Sequence, residues 1–144
     1  MAQQGIDFSE MDEFTKRLMD IAVKKMPKES KKFLRTEGNK LKKIIKKNAK
    51  SSGVKKQSGN YIKSIKRGKI YKYEGKLSIR AYSTDPKAHL IELGHKIVTK
   101  KPGKQDVGFV PGHHVFKKSE AEFKSEYLAD CKEFFDGLLE DGLS

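Results

Sequence analysis

The sequence predicts an α+β domain with two N-terminal helices, an antiparallel meander of about four strands, and a C-terminal helix packed on the sheet. Apolar residues recur every three or four positions toward both ends of the chain, and alternate with polar residues in the middle. A chain of 144 residues with 35% hydrophobic content is the size of one domain. We therefore expect a single domain over 1–144, with helices over about 8–50, a sheet over about 61–110 and a last helix over about 115–140.

The first helix is predicted from four apolar side chains that share one face: Met11, Phe14, Leu18 and Ile21. Ser9 is a suitable N-cap because its hydroxyl can accept a bond from a free amide of the first turn. Pro27 is expected to end this helix and to precede the second one.

The second helix, after Pro27 and up to about Lys50, has a narrower apolar stripe: Phe33, Leu34, Leu41, Ile44 and Ile45. Much of its remaining surface is lysine: Lys31, Lys32, Lys40, Lys42, Lys43, Lys46, Lys47 and Lys50. Like charges three and four residues apart repel each other, so the helix needs support from packing. Two interpretations stay open, a solvated helix face and an anion-binding face.

The middle of the chain changes period. "AKSSGVKKQSGN" from Ala49 to Asn60 has no apolar period and predicts a mobile loop. "YIKSIKRGKIYKY" and "KLSIRAY" predict antiparallel strands joined by a short turn at Glu74 and Gly75, with a register shift near Gly68. "HKIVTK" and "QDVGFV" predict a second pair joined by "KPGK".

The last helix is predicted from six residues on one face: Phe116, Phe123, Tyr127, Cys131, Phe134 and Leu138. Cys131 is the one cysteine of the chain, which excludes an internal disulfide framework and suits a reducing cytoplasm. No apolar run is long enough for a membrane span, and the N-terminus lacks the pattern of a signal peptide, so no membrane partner is expected.

Charge is strongly segregated along the chain. The net charge is +13, made up of −1 in residues 1–25, +20 in residues 26–118 and −6 in residues 119–144. Such polarity favours polyanions or an acidic protein surface as partners, and suits head-to-tail association of identical subunits. The candidate partner surface consists of nine lysines: Lys42, Lys43, Lys46, Lys47, Lys55, Lys56, Lys100, Lys101 and Lys104.

Catalytic and metal sites are weakly supported. His89, His95, His113, His114 and Glu92 are metal-ligating residue types, but their spacing matches no known zinc pattern. "TDPK" places Asp85 two residues before Lys87, as in some metal-dependent nucleases, yet a proline between them suits a turn better than a strand. No nucleophile motif or phosphate-binding glycine loop is present. We expect no enzyme, no metal and no cofactor.

Nucleic-acid binding is the main electrostatic alternative. The basic helix, the lysine-rich loop and the tyrosines Tyr61, Tyr71 and Tyr73 are compatible with a surface that binds phosphates and stacks on bases. Tyrosines in strands are also ordinary packing residues, and no helix-turn-helix, RRM or KH signature is present. A stand-alone basic nucleic-acid-binding module remains the second hypothesis.

Three segments in order, "SGNYIKSI" (58–65), "AHLIELGH" (88–95) and "VPGHHVFKKSEAEF" (110–123), resemble landmarks of the small tail-completion or neck (head–tail joining) proteins of long-tailed bacteriophages. The resemblance covers about residues 28–137. The matching positions are Ser58, Gly59, Ile65, His89, Glu92, Gly94, Pro111 and Phe116. The chain departs from the family pattern where "HHVF" replaces a proline–phenylalanine pair and His95 replaces a threonine.

The resemblance implies a non-enzymatic virion protein of the neck or tail that assembles in the host cytoplasm. It implies a ring of identical subunits that contacts head-connector and tail proteins, with a transient DNA contact possible. Gly59 and Gly94 are expected at turns with unusual backbone angles. Glu92 is expected to anchor a backbone amide or a lysine, and Phe116 to close the core and fix the last helix.

Overall fold

The computed structural model describes residues 9–52, 58–99, 103 and 105–143. The helical elements are α1 (Ser9–Asp20), a π-helical segment (Ile21–Lys25), α2 (Met26–Ser51), α3 (Ser58–Ser64), α4 (Ala88–Leu93) and α5 (Val115–Leu143). The strands are β1 (Ile65–Arg67), β2 (Tyr71–Tyr73), β3 (Lys76–Ser78), β4 (Ala81–Ser83), β5 (Gly94–Val98) and β6 (Asp106–Pro111). The predicted α+β class, with helices at both ends and short antiparallel strands between them, is confirmed.

The N-terminal helical elements are continuous, and the chain does not leave the helical conformation at Pro27. Met26 donates its backbone amide to the carbonyl of Ile21, five residues back, and Pro27 then lies in the first turn of α2. Proline is tolerated there because the first amides of a helix need no intrahelical acceptor. The prediction that Pro27 separates the two helices is therefore wrong, and the boundary is the π-helical segment.

The predicted loop from Ala49 to Asn60 is wrong at both ends. Ala49 is completely buried inside α2, which continues to Ser51, and residues 58–60 belong to α3. "YIKS", at the start of the predicted strand "YIKSIKRGKIYKY", belongs to this short helix instead. Tyr61 and Ser64, three residues apart on α3, are both buried, as is Ile65 at the start of β1.

The two central strands form one long hairpin that is interrupted in the middle. Its outer part pairs β2 with β3 around a turn in which Glu74 and Gly75 both have positive φ, as two-residue hairpin turns require. Its inner part pairs β1 with β4, and Gly68 between the two parts donates its amide to the carbonyl of Arg80 over 2.7 Å. The predicted irregularity at Gly68 and the turn are confirmed, whereas "KLSIRAY" is two strands rather than one.

A second hairpin follows α4. β5 and β6 pair antiparallel from Gly94 opposite Pro111 to Val98 opposite Asp106, which confirms the predicted pairing. "AHLIEL", which the resemblance places within the sheet, is the helix α4. The strands are therefore arranged as hairpins, not as a continuous meander.

The core lies where α2, α3, β1 and the start of α5 meet. Its fully buried members are Ile45, Ala49, Tyr61, Ile65 and Val115. Beyond its first residues α5 packs along α2, where the ring of Phe33 stacks on that of Phe134 at a centroid distance of 4.6 Å. The predicted face of α5 is confirmed in Phe123 and Leu138, which are buried.

None of the helices in the described parts of the chain combines the length and apolar character that a membrane crossing needs.

Candidate assembly surfaces

Glu92 joins the last turn of α4 to the first turn of α5. Its carboxylate accepts hydrogen bonds from the backbone amides of Phe116 at 2.9 Å and Lys117 at 3.1 Å. These are two of the four amides that an α-helix leaves without an internal acceptor, and a negative charge there is favoured by the helix dipole. The side chain thus acts as an N-cap supplied from another element, which is the amide-anchoring contact that the sequence predicts for it.

Two glycines allow the strands beside this cap to approach closely. Gly94 has φ +83°, and a Cβ on it would overlap the carbonyl oxygen of Val110. A Cβ on Gly112 would overlap the carbonyl oxygen of Glu92. The expected unusual backbone angle is present at Gly94, while Gly59 lies within α3.

The two adjacent histidines belong to the same junction. His113 donates its backbone amide to the carbonyl of Ile91, and its ring Nδ1 lies 3.1 Å from the carbonyl oxygen of Ser52. His114, with φ +49°, donates its amide to the carbonyl of Glu92. Among the residues that the structure describes, no three His, Cys, Asp or Glu side chains form a group suited to a metal ion.

Asp85 and Lys87 form a local turn. The Asp85 carboxylate accepts the backbone amide of Lys87 over 2.9 Å, and the Asp85 carbonyl accepts that of Ala88 at the start of α4. The lysine takes part through its backbone, so this pair has the geometry of a turn that leads into α4.

The lysine face of α2 is partly engaged within the subunit. Lys47 forms a salt bridge of 3.0 Å with Glu122 of α5, while Lys43 is exposed and Lys42 and Lys46 are half-buried. The remaining candidate lysines of this surface lie outside the described residues: Lys55, Lys56, Lys100, Lys101 and Lys104.

A polar cluster lies between α2 and α5. Lys40 contacts Asp130 at 2.7 Å, Glu37 at 3.7 Å and Glu126 at 3.8 Å. Glu37 is 4% exposed, and among the residues that the structure describes its Oε2 atom has no hydrogen-bond partner. Burial, followed by the neighbouring Asp130, raises the pKa of Glu37 to about 7. The sequence gives no sign of this cluster, because Glu37 lies on a helix whose other charged residues are largely solvated.

The hairpin of β5 and β6 exposes apolar side chains on both faces. Phe109, opposite Lys96, is 58% exposed, while Ile97 points to the other face and is also exposed. Val98 and Val107, near the far end of the hairpin, are exposed as well. "HKIVTK" and "QDVGFV" predict these strands, but an antiparallel pair normally has one buried face, which the described parts of the subunit do not provide.

A second exposed apolar patch runs along α5. Leu128, Phe135 and Leu139 are spaced by seven and four residues, so they share one face of the helix, and all three are exposed. This face differs from the one that packs on α2, where Phe123 and Leu138 are buried.

Comparison with known protein families identifies the chain. Residues 12–94, more than half of its length, match the model of the HK97-gp10-like family, described as "Bacteriophage HK97-gp10, putative tail-component". The chain belongs to this family. The match runs from α1 to the beginning of β5 and so includes the long N-terminal helix, the interrupted hairpin and Glu92. No curated protein and no solved structure matches the chain.

Membership of the HK97-gp10-like family gives the protein a structural role in the bacteriophage tail and places it in the virion with other phage structural proteins. The predicted relationship to phage tail or neck proteins is thereby confirmed.

Proposed function

We propose that this HK97-gp10-like protein joins the DNA-filled head to the tail as a ring of identical subunits, and that it does so without catalysing a reaction. Its partners are other copies of itself, the adjoining head-connector protein and the tail. It assembles in the host cytoplasm and remains in the neck or tail of the virion. The family supplies the tail role, and the surfaces of the subunit support the ring.

The exposed hairpin of β5 and β6 carries the proposal. A two-stranded hairpin in water is marginally stable unless a face packs on other apolar groups. Here Ile97 and Phe109 lie on opposite faces, and both are exposed in the part of the subunit that the structure describes. A neighbouring subunit provides the missing cover, and the edges of this two-stranded sheet offer backbone groups for additional hydrogen bonds to it.

The exposed stripe of α5 is a suitable acceptor for the hairpin. The two apolar patches belong to different elements, so a contact between them joins two unlike surfaces. Contacts of this heterologous kind produce a ring when the rotation between subunits closes, and a filament when it does not. A closed ring has a fixed number of subunits, as a neck or tail of fixed dimensions needs, whereas an open filament does not.

Charge supports the same head-to-tail pairing. Residues 94–111 contain four lysines and one aspartate, a net charge of +3. Residues 125–143 of α5 contain one lysine and six carboxylates, a net charge of −5. The opposite net charge of these two segments steers their encounter and disfavours the pairing of two identical segments.

The lysine face of α2 is a further candidate contact. Reversing the charge of Lys42, Lys43, Lys46 and Lys47 is expected to weaken subunit association and virion assembly. Unchanged association would remove this face from the interface. Because Lys47 already pairs with Glu122, the loss of stability from that single change is measured separately.

The proposal is tested by light scattering of the purified protein across concentration. Replacing both Ile97 and Phe109 with serine is expected to shift association to higher concentration. The matched control replaces Met19 of α1 and Val23 of the π-helical segment, two apolar residues at least as exposed as the test pair, with serine. Equal association of the wild type and both variants would contradict a hairpin interface.

The stand-alone nucleic-acid-binding module is the second candidate. This function predicts a stable monomer that binds nucleic acid tightly, with an affinity that falls steeply as the salt concentration rises. The ring allows a transient contact with DNA but does not require it. Light scattering without DNA separates the two functions, because the ring requires self-association of the protein alone whereas the module remains a monomer.

A further inference from the structure

The interrupted central hairpin carries a dense positive charge. Residues 63–83, called here the basic hairpin, contain seven basic side chains and one acidic one, a net charge of +6. The basic side chains are Lys63, Lys66, Arg67, Lys69, Lys72, Lys76 and Arg80. We propose that the basic hairpin binds the phosphate backbone of duplex DNA.

The charge of the basic hairpin is not compensated within the subunit. Across the described residues, none of its seven basic side chains lies within salt-bridge distance of a carboxylate. By contrast, Lys40 and Lys47 of α2 are both paired with carboxylates of α5. Bringing seven unpaired cations together costs free energy through mutual repulsion, and an external polyanion relieves that cost.

Two of the cations are held in place by the fold. The Arg80 guanidinium lies 5.3 Å from the centre of the Tyr82 ring and 5.9 Å from that of Tyr71. Cation–π contacts of this kind restrict the side chain without neutralising its charge. The stem of Arg67 packs beside Gly38 of α2, where an added Cβ would come within 2.9 Å of it. The charged groups are thus presented from a supported surface.

The chemistry of the basic hairpin favours DNA over a protein partner. Lysine is depleted at the centres of protein–protein interfaces, whereas phosphate contacts are made chiefly by lysine and arginine. Three carboxylates of α5, those of Glu122, Glu126 and Asp130, already contact lysines of α2 and are less available to the basic hairpin of another subunit. Duplex DNA offers one negative charge for about every 1.7 Å of its axis, so a short stretch carries enough phosphates for all seven cations.

The experiment measures binding of the full chain to a short labelled DNA duplex by fluorescence anisotropy at several salt concentrations. The test variant changes the exposed residues Lys66, Lys69 and Lys72 to glutamine. The control variant makes the same change at Lys25, Lys28 and Lys31, three exposed lysines of the N-terminal helical region. Both variants lose three positive charges, so a general effect of net charge is the same in each.

We expect the test variant to bind at least about tenfold more weakly at low salt, with a salt slope reduced by about three, and the control to stay close to wild type. Equal weakening in both variants, or a wild type that does not bind the duplex, would overturn the proposal. So would a test variant that loses self-association but keeps its affinity for DNA, because the hairpin would then be a protein contact. The serine variants of Ile97 and Phe109 retain the basic hairpin, so failure of the ring proposal leaves this measurement interpretable.

Discussion

The Glu92 carboxylate accepts the backbone amide of Phe116 over 2.9 Å, 24 residues further along the chain. This bond connects the end of the region that matches the family to the first turn of the C-terminal helix. It makes the position of α5 depend on α4, and therefore connects the exposed stripe of α5 to the hairpin that follows α4.

Removing the cap should destabilise the protein. We expect Glu92→Ala to lower the free energy of unfolding by about 1–2 kcal/mol, because two amides of the first turn of α5 lose their acceptor. Glu92→Gln keeps one acceptor oxygen and should lose less. Urea denaturation measures both, and His89→Ala, an exposed change on the same helix, is the control. Equal stability of Glu92→Ala and wild type would exclude a capping role.

Gly94 should not tolerate a side chain. Gly94→Ala combines a strained positive φ with overlap at the Val110 carbonyl, so we expect a loss of more than about 2 kcal/mol. Gly75→Ala has a similar φ of +77° but open space around it, and should cost only about 1 kcal/mol. Thermal unfolding measures the loss of stability in both variants. Gly75→Ala reports the backbone strain alone, and Gly94→Ala reports the strain together with the overlap. Similar losses would show that overlap at Gly94 relaxes freely.

The Tyr61 hydroxyl should contribute nothing to stability. The side chain is completely buried, and its oxygen has no hydrogen-bond partner in the described parts of the chain. Burial, followed by the charges of Glu92 and Asp85, raises the pKa of Tyr61 to about 12. We expect Tyr61→Phe to be neutral or up to about 1 kcal/mol more stable, and Tyr61→Ala to lose about 3–5 kcal/mol through the cavity it leaves. A clear loss in Tyr61→Phe would indicate that the hydroxyl has a partner in solution.

Glu37 should make stability depend on pH near neutrality. Its pKa is about 7 in the folded protein and ordinarily 4.5, so between these values the folded state holds a proton that the unfolded chain has released. Stability therefore falls as the pH rises through this window, and the full penalty is present above pH 7. Glu37→Gln mimics the protonated side chain and removes the penalty.

We expect Glu37→Gln to be about 1–3 kcal/mol more stable than wild type at pH 8, with the difference shrinking toward pH 5. Urea denaturation across this range measures it. Glu133→Gln, an exposed change on α5, controls for the loss of one negative charge. A difference that is constant with pH would show that Glu37 does not titrate in the window.

The sequence was sufficient for the class, the turn at Glu74 and Gly75 and the apolar face of α5, because each depends on local periodicity or backbone preference. It failed at Pro27. The hydrogen bond from the Met26 amide to the Ile21 carbonyl, which lets the helix continue up to the proline, is not indicated by any residue pattern. The sequence also failed at "YIKS", where the burial of Tyr61 and Ser64 favours a helix over the predicted strand.

The candidate surfaces were only partly predictable. The cap at Glu92 was expected from its motif, but its acceptors in α5 are a property of the tertiary fold. The exposure of Ile97 and Phe109 could not be foreseen, because alternating strands usually have one covered face. The basic hairpin has no salt bridges in the described residues because the carboxylates of α5 pair with lysines of α2 instead. This pairing depends on how α5 packs, which the sequence does not indicate.

Sedimentation velocity of the purified wild-type protein over a wide concentration range tests the central claim of self-association most directly. The ring predicts that the monomer gives way to one larger species of fixed size, since a closed assembly stops growing when its last contact forms. A protein that remains monomeric at the highest attainable concentration, at both low and physiological salt, would contradict it.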